Sequence, residues 1–457
     1  MAGGLMQLVA YGAQDVYLTG NPKVTFFQAV YKRHTNFAME NIEQTVNGTA
    51  SNNGRVSVTV ARNGDLIGDM YIELMTLTTL SPYAGTTVNS GCCAAERAVK
   101  SVELSIGGQR IDKHYQLWWR LYSELYLDES KKASYGKMTS KATVANGGAQ
   151  TVFLPLIFFF NRNPGLFLPL IALQYHEVRL DFDLSSEFSH YTDGSTFKVW
   201  GNYVYLDTEE RRRFAQKGHE YLIEQVQHTG SDTVQSGASR QVRLSYNHPI
   251  KELVWCFNDG GVSNARSWNF TSNASVVDQV VLTSNPVGDE GVISTSVGSG
   301  APALVCGLGT NGGASAWIED GDVSDTASVG PLDTFKLILN GQDRMKEQKG
   351  KYFNQVQPFN HHTGNPYPGV YAYSFALRPE EHQPSGTCNF SRIDNAQVAV
   401  TLKADCENSQ TMHMFATNYN VLRVQSGMGG LAFSNWWAYH CLNMVQFLDF
   451  NIKSYIL

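Results

Sequence analysis

The sequence predicts an all-β protein built from two copies of one β unit. Apolar residues recur with a period of two along a series of separate segments, the pattern of half-buried strands. Turn dipeptides such as Asn47-Gly48, Asn53-Gly54, Asn63-Gly64 and Asn146-Gly147 punctuate them. Charged residues make up only 17% of 457 and aromatics 12%, with 41 glycines, a balance that favours strands joined by turns over helices. Hydrophobic residues at 42% exclude global disorder.

In the first half, Val56, Val58 and Val60 share one face, as do Val102, Leu104 and Ile106. Phe153–Phe160 is a continuous apolar run, which reads as a strand buried on both faces. Val178, Leu180, Phe182 and Leu184 restore the alternation. In the second half it returns at Val242, Leu244 and Tyr246, at Leu253, Trp255 and Phe257, and at Phe335, Leu337 and Leu339. Tyr371, Tyr373, Phe375 and Leu377 form another such segment, then Val398, Val400 and Leu402. Many strands with such spacing predict sandwiches or barrels. Helical pattern is scarce. Gln116–Glu129 reads as a helix with Trp118, Leu121, Tyr122 and Leu125 on one stripe, and Glu209–Gln216 as a short charged link between two domains. The Gly-, Ser- and Thr-rich stretch from Asp259 to Leu332 reads as long surface loops with one or two strands.

The duplication shows as a weak internal repeat. Val102–Arg110 (VELSIGGQR) and Phe335–Arg344 (FKLILNGQDR) are each an alternating strand, a Gly-Gln turn and an arginine. Glu177–Leu184 and Gln397–Leu402 follow as alternating strands in comparable places. Two copies of one unit, divided near residues 212–222, explain this; shared strand-and-turn composition without duplication is the alternative.

Composition also excludes functions. The net charge is −6, from 35 basic and 41 acidic residues, against the basic surplus a nucleic-acid binder needs. The cysteines Cys92, Cys93, Cys256, Cys306, Cys388, Cys406 and Cys441 are odd in number and form no CxxC pair, so they read as reduced thiols of an intracellular chain without structural zinc. Met1–Tyr17 lacks the charged start and apolar block of a secretory signal, and no apolar run approaches the ~18 residues of a membrane span.

No catalytic, cofactor-binding or metal-binding residue is nominated. Gly307-Leu308-Gly309-Thr310-Asn311-Gly312 matches GxGxxG formally, but no helix-opening pattern or βαβ alternation surrounds it, so it reads as a surface loop. His176-Glu177 and His219-Glu220 lack the second histidine of a zinc helix, and the adjacent His361-His362 reads as a loop pair. Cys92-Cys93 reads as buried or idle thiols rather than a redox pair, and Gly350-Lys351 is followed by Tyr352 rather than the Ser or Thr of a phosphate loop. Arg211-Arg212-Arg213, after Glu209-Glu210, reads as a solvated linker helix.

Longer blocks carry a resemblance. Leu8–Pro22 (LVAYGAQDVYLTGNP), Tyr31–Ala38 (YKRHTNFA), Ile106–Tyr115 (IGGQRIDKHY), Leu154–His176, Asn340–Arg344, Gln383–Asn395 (QPSGTCNFSRIDN) and Asn418–Leu431 (NYNVLRVQSGMGGL) occur in one order along the chain. In these blocks the sequence resembles the major capsid proteins of nucleocytoplasmic large double-stranded DNA viruses, in particular the algal-virus branch. The resemblance implies two tandem eight-stranded jelly-roll sandwiches, a double jelly roll, with few short helices. It implies an N-terminal arm over 1–24, jelly rolls over 25–214 and 215–435, and a C-terminal tail over 436–457. It implies no enzyme and no cofactor, but a late virion protein, made in the host cytoplasm, that self-assembles as trimeric pseudo-hexagonal capsomers of an icosahedral shell. Expected partners are further copies of the chain, minor capsid and penton proteins and a nearby inner viral membrane, with no direct nucleic-acid contact. A jelly-roll carbohydrate-binding module or glycoside hydrolase is the alternative.

Family chains commonly finish near the Asn418–Leu431 block, whereas this one continues as Trp436–Leu457 with polar residues every three or four positions, the pattern of an amphipathic helix; it reads as an ordinary packed terminal helix or a reading-frame extension, the alternative being a helix that contacts the inner membrane or a minor capsid protein. Capsid proteins of this family are often glycosylated, and sequons begin at Asn47, Asn269, Asn273 and Asn389. Asn269 and Asn273, in the expected outer loops, are the better candidates, and Asn389 falls in a block expected to be buried.

Overall fold

The computed structural model describes residues 34–76, 94–139, 151–258, 330–404 and 409–433, apart from 187, 365, 367 and 368. The expected N-terminal arm, the tail, nearly all of the loop stretch after Asp259, Gly307–Gly312 and Cys92-Cys93 lie outside the described residues.

Two sets of eight strands carry the architecture. The first is β1 (Phe37–Gln44), β2 (Arg55–Thr59), β3 (Leu66–Thr76), β4 (Val99–Ile106), β5 (Gln109–Tyr115), β6 (Thr151–Pro155), β7 (Val178–Leu184) and β8 (Thr192–Leu206). The second is β9 (His219–Val234), β10 (Ser239–Leu244), β11 (Pro249–Asn258), β12 (Leu332–Leu339), β13 (Gln342–Asp343), β14 (Val370–Ser374), β15 (Ala396–Leu402) and β16 (Gln410–Gln425). The first set forms sheets ordered β1-β8-β3-β6 and β2-β7-β4-β5, and the second β9-β16-β11-β14 and β10-β15-β12-β13. Each strand of the first set occupies the place of the strand eight numbers later, and the long strands pair antiparallel throughout. This is a double jelly roll: each roll packs two four-stranded antiparallel sheets, with short extra strands at their margins.

The internal repeat has a structural cause. Its Gly-Gln turns are the β4–β5 and β12–β13 hairpins. Gly107 and Gly108 have φ of 58° and 81°, Asn340 and Gly341 φ of 50° and 78°. Two consecutive left-handed residues are what a tight hairpin with the natural strand twist requires, and Gly and Asn reach that region most readily. The companion strands Glu177–Leu184 and Gln397–Leu402 are β7 and β15, which lie beside β4 and β12.

Both sandwiches bury the alternating faces the sequence marks. In the second, Trp255 stacks on Phe335 at 4.3 Å between ring centroids, with Phe353 and Tyr371 at 5.4 and 5.8 Å. Helices fill the connections between strands: α1 (Ala94–Ala98) precedes β4, α2 (Gln116–Leu125) and α3 (Glu129–Thr139) precede β6, α4 (Phe159–Arg162) follows β6, and α5 (Thr208–Gln216) joins the rolls. The second roll has a helical segment, 350–361, at the place of α2 and α3.

Three expectations are corrected. The run Phe153–Phe160 is not one strand: β6 ends at Pro155, and the chain turns into α4. Asn161 makes the turn, its Oδ1 accepting from Phe158 N at 3.2 Å and its Nδ2 donating to Gly68 O at 2.8 Å. The helix expected over Gln116–Glu129 stops at Leu125, and a second one begins at Glu129. The Tyr371–Leu377 alternation ends as strand at Ser374, leaving Leu377 exposed.

Trp255 is fully buried under three aromatic rings. Trp255→Ala is therefore expected to cost about 3–5 kcal/mol of unfolding free energy. Urea denaturation followed by far-UV circular dichroism measures this, and a loss under about 1 kcal/mol would contradict the packing described.

Candidate functional site

The two rolls join through unlike surfaces, and that junction is the site. Strand alternation gives the outer face of β9-β16-β11-β14 an apolar row: Val226, Phe415, Val254, Cys256, Val370 and Ala372. All are buried, in one cluster with the core of the first roll. This explains why β11 is buried on both faces, a pattern a sandwich strand with one wet face does not show.

The cover comes from the first roll. Trp118 on α2 meets Phe415 at 5.6 Å, and Tyr115, at the end of β5, meets His228 and Phe415 at 5.0 and 6.2 Å. Val226 N donates to Asp112 Oδ1 at 3.0 Å, and Gln225 Nε2 donates to Ile111 O. At the far end Tyr175 N donates to Gly427 O at 3.0 Å, and Gly429 N to His176 Nδ1 at 3.2 Å. Gly427 is required there: its φ is 80°, and a Cβ would lie 2.6 Å from the Tyr175 ring.

Buried charge runs beside the apolar row. Glu224 on β9 is met by Lys251 Nζ at 2.8 Å and by Arg162 Nη2, from α4 of the first roll, at 3.0 Å. Burial favours the neutral acid, but Arg162 and Lys251 outweigh it and hold the Glu224 carboxyl far below the usual range. Burial also depresses the Lys251 ammonium, to about 8 against the pull of Glu224, and Lys251 donates to Pro379 O at 2.6 Å. Next to it His362 lies between two carboxylates, Nε2 3.2 Å from Glu252 and Nδ1 3.3 Å from Glu380. Burial alone would lower its pKa; the flanking Glu252 and Glu380 carboxylates push it up to about 9. The following turn seals the joint: Gly364 N donates to Leu125 O at 3.1 Å, and a Cβ on Gly364 would fall 2.4 Å from Glu124 O. His228 and His413 stack at 5.7 Å, and burial holds both down to about 4.

The junction gathers residues the sequence left scattered. His362, read as half of a loop pair, is an ion-pair centre, while His361 Nδ1 stands 3.1 Å from Leu377 O. His176 serves the joint, and His219 caps α5 with Nε2 2.8 Å from Phe214 O. Arg211, expected to be solvated, is tied to Asp65 through Nε and Nη2 at 3.0 and 2.9 Å. Of the sequons, Asn47 is exposed on the short strand Val46–Asn47. Asn389 corrects its expectation: it is exposed, because its Oδ1 accepts from Ser391 N at 3.0 Å to start a 3-10 turn at the surface. Asn269 and Asn273 lie outside the described residues. The ionic seam was missed. Its one signal is polar residues where strand period calls for apolar ones, at Glu224 and Glu252.

The histidines set a pH profile. His362 titrates near 6.5 when unfolded and near 9 when folded, so its contribution is complete below about pH 6.5 and fades as pH rises toward 9. His228 and His413 have the opposite sign: their contribution holds above about pH 6.5 and is lost as pH falls toward 4. Thermal melting is therefore expected to show greatest stability near pH 6.5. His362→Gln should flatten the side between pH 6.5 and 8 and leave the acid side intact; an unchanged slope there would contradict the ion pairing.

Comparison with known proteins follows the same division. Residues 25–207 match the family model described as major capsid protein N-terminus, and residues 210–430 that of the large eukaryotic DNA virus major capsid protein. The major capsid protein of Paramecium bursaria Chlorella virus 1 is 45% identical over 475 residues, covering 95% of this chain and all of that one. That of Phaeocystis pouchetii virus is 40% identical with the same coverage. Among solved structures, the quasi-atomic model of the PBCV-1 virus capsid superposes with a TM-score of 0.71 at 40% identity, over 90% of this chain and all of that one. The Faustovirus major capsid protein, at 13% identity and a TM-score of 0.62 over 88% of this chain and 93% of that one, shares the fold. These relatives are structural proteins of virions rather than enzymes, and the chain belongs to the family of major capsid proteins of large eukaryotic DNA viruses.

Proposed function

We propose that three copies of this chain form a pseudo-hexagonal capsomer, the tile of the icosahedral shell of a large double-stranded DNA virus. The observation that carries this reading is the pair of like rolls joined by unlike surfaces. Six similar wedges from three chains approximate a hexagon, and hexagonal tiles pave flat facets. A contact between unlike surfaces propagates around a ring until the rotation closes it. The work is done by burial and shape matching, with no bond-making step.

Finer elements of the reading rest on the family. The chain divides as an arm over 1–24, rolls over 25–214 and 215–435 and a tail over 436–457. Synthesis is late and in the host cytoplasm. In the particle the capsomer meets other capsomers, minor capsid and penton proteins and a nearby inner membrane. Glycans, where present, sit on exposed sequons. The exposure of Asn47 and Asn389 leaves both open to modification.

Size-exclusion chromatography with light scattering on recombinant protein tests the assembly. The expected mass is three times that of the 50.6 kDa chain, with hexagonal outlines in negative-stain electron microscopy. A stable monomer at micromolar concentration would overturn the reading.

A further inference from the structure

A cavity of about 830 Å³ lies on the second roll, where the β10–β11 turn, the connection between β14 and β15 and the end of β16 meet. Leu222 of β9 and Val421 of β16, directly opposed across the two strands, form an apolar wall with Tyr419. Ala432 and Phe433 close another side, and Asn247, Asn389 and Arg392 stand among them. Hydrogen bonds pin the walls: His248 N donates to Ser391 Oγ, and Ala432 N to Val421 O, both at 2.8 Å. His248 is left-handed, with φ of 67°, directly before Pro249. That conformation costs energy in a residue other than glycine, so the wall on this side is held and not relaxed.

The chain leaves the second roll at the rim of this cavity. Asn420 Nδ2 donates to Phe433 O at 3.0 Å, and Phe433 is 61% exposed. Ser434 and Asn435 follow, and then Trp436-Trp437, the start of the tail. The family models reach no further than residue 430, so they assign the tail no place.

We propose that Trp436 and Trp437 fold back into the cavity of their own chain and anchor the tail there. This goes beyond the capsomer reading and does not rest on it. Three residue steps of extended chain span about 10 Å, enough to bring Trp436 from Phe433 into the cavity. So short a tether gives the tail an effective concentration on the order of millimolar, against which any free partner or lipid surface must compete. The lining suits an indole. Leu222 and Val421 cover its ring, the Arg392 guanidinium is drawn to its face, and the asparagines meet its N–H. Anchored in this way, the apolar residues Leu442, Val445, Phe447 and Leu448 are kept beside the second roll instead of being offered to other molecules.

The test compares the full chain with Leu222→Lys/Val421→Glu. The double variant removes the apolar wall and leaves opposite charges facing across β9 and β16, which keeps those strands paired. Brief chymotrypsin treatment followed by intact-mass measurement reads how fast the chain is cut after Trp436. Cleavage is expected to be about tenfold or more faster in the variant, since proteolysis follows the population of the opened state, with circular dichroism unchanged. A second measurement needs no cavity variant. With Trp437→p-benzoylphenylalanine in the otherwise unaltered chain, illumination is expected to give intramolecular adducts on Leu222, Val421 or residues 389–392. Equal cleavage rates in the two proteins, fast or slow, or adducts confined to other surfaces, overturn the docking. Where fast cleavage of the wild-type tail is slowed only by phosphatidylcholine vesicles, the tail belongs to a lipid surface and the proposal fails. The oligomeric state of the wild type decides the capsomer reading separately and does not enter either outcome.

Discussion

The molecule is organised around one sheet face that cannot be left in water. In an ordinary sandwich each sheet has a dry inner face and a wet outer one. The outer face of β9-β16-β11-β14 breaks that rule, with Val226, Val254, Cys256, Val370, Ala372 and Phe415 in a row. At about 1.5–3 kcal/mol for each large apolar side chain buried, exposing this face would offset much of the stability of a single roll. The first roll supplies the cover through Tyr115 and Trp118. The halves are thus not beads on a string: the first roll's apolar cluster reaches from Ala38 in β1 to Val424 in β16, while the second roll keeps a separate interior around Trp255 and Phe335.

Apolar contact does not by itself fix how two faces are rotated or slid against one another. The buried charges beside the row do that. Arg162 comes from the first roll, Glu224 and Lys251 from the second, so the 3.0 Å contact of Arg162 with Glu224 exists only in one register. Buried ion pairs add little net stability, because desolvation offsets most of their attraction, but misplacing one partner leaves an uncompensated charge. The seam therefore acts as a penalty on wrong docking. The glycines serve the same end by steric means. Gly364 against the end of α2 and Gly427 against Tyr175 allow backbone approach at two separated points, and two points fix an orientation.

How much of this was legible depended on the range of the interaction. Strands with one wet face announced themselves, since Val56, Val58 and Val60 or Phe335, Leu337 and Leu339 alternate because burial does. The duplication was legible because the Gly107-Gly108 and Asn340-Gly341 hairpins need left-handed residues at the same place after the same strand. Phe153–Phe160 misled because apolarity reports burial and not backbone; one side-chain amide, Asn161, ended the strand. The junction was nearly invisible. Arg162 and Glu224 belong to different rolls, and the polar residues that interrupt β9 and β11 look like ordinary surface positions until the other roll is placed on them. Asn389 shows the converse: a family block need not be buried when its asparagine holds a turn at the surface.

Unlike surfaces also account for why the two rolls are alike but not identical. A contact between like patches would pair the rolls about a twofold axis and leave nothing unsatisfied. The contact seen here joins the helical side of one roll to the sheet face of the other, so within the chain one helical side and one sheet face stay uncovered. The uncovered sheet face is less apolar than the covered one: Glu73 and Lys198 stand on it among Tyr71, Phe153 and Trp200. A face buried permanently within a chain can be wholly apolar, because the first roll shields it as soon as both have folded. A face that is wet in the folded chain must keep the chain soluble, and interspersed charge does that. The two copies of one fold therefore differ where the sheet face of one roll is covered within the chain and that of the other is not.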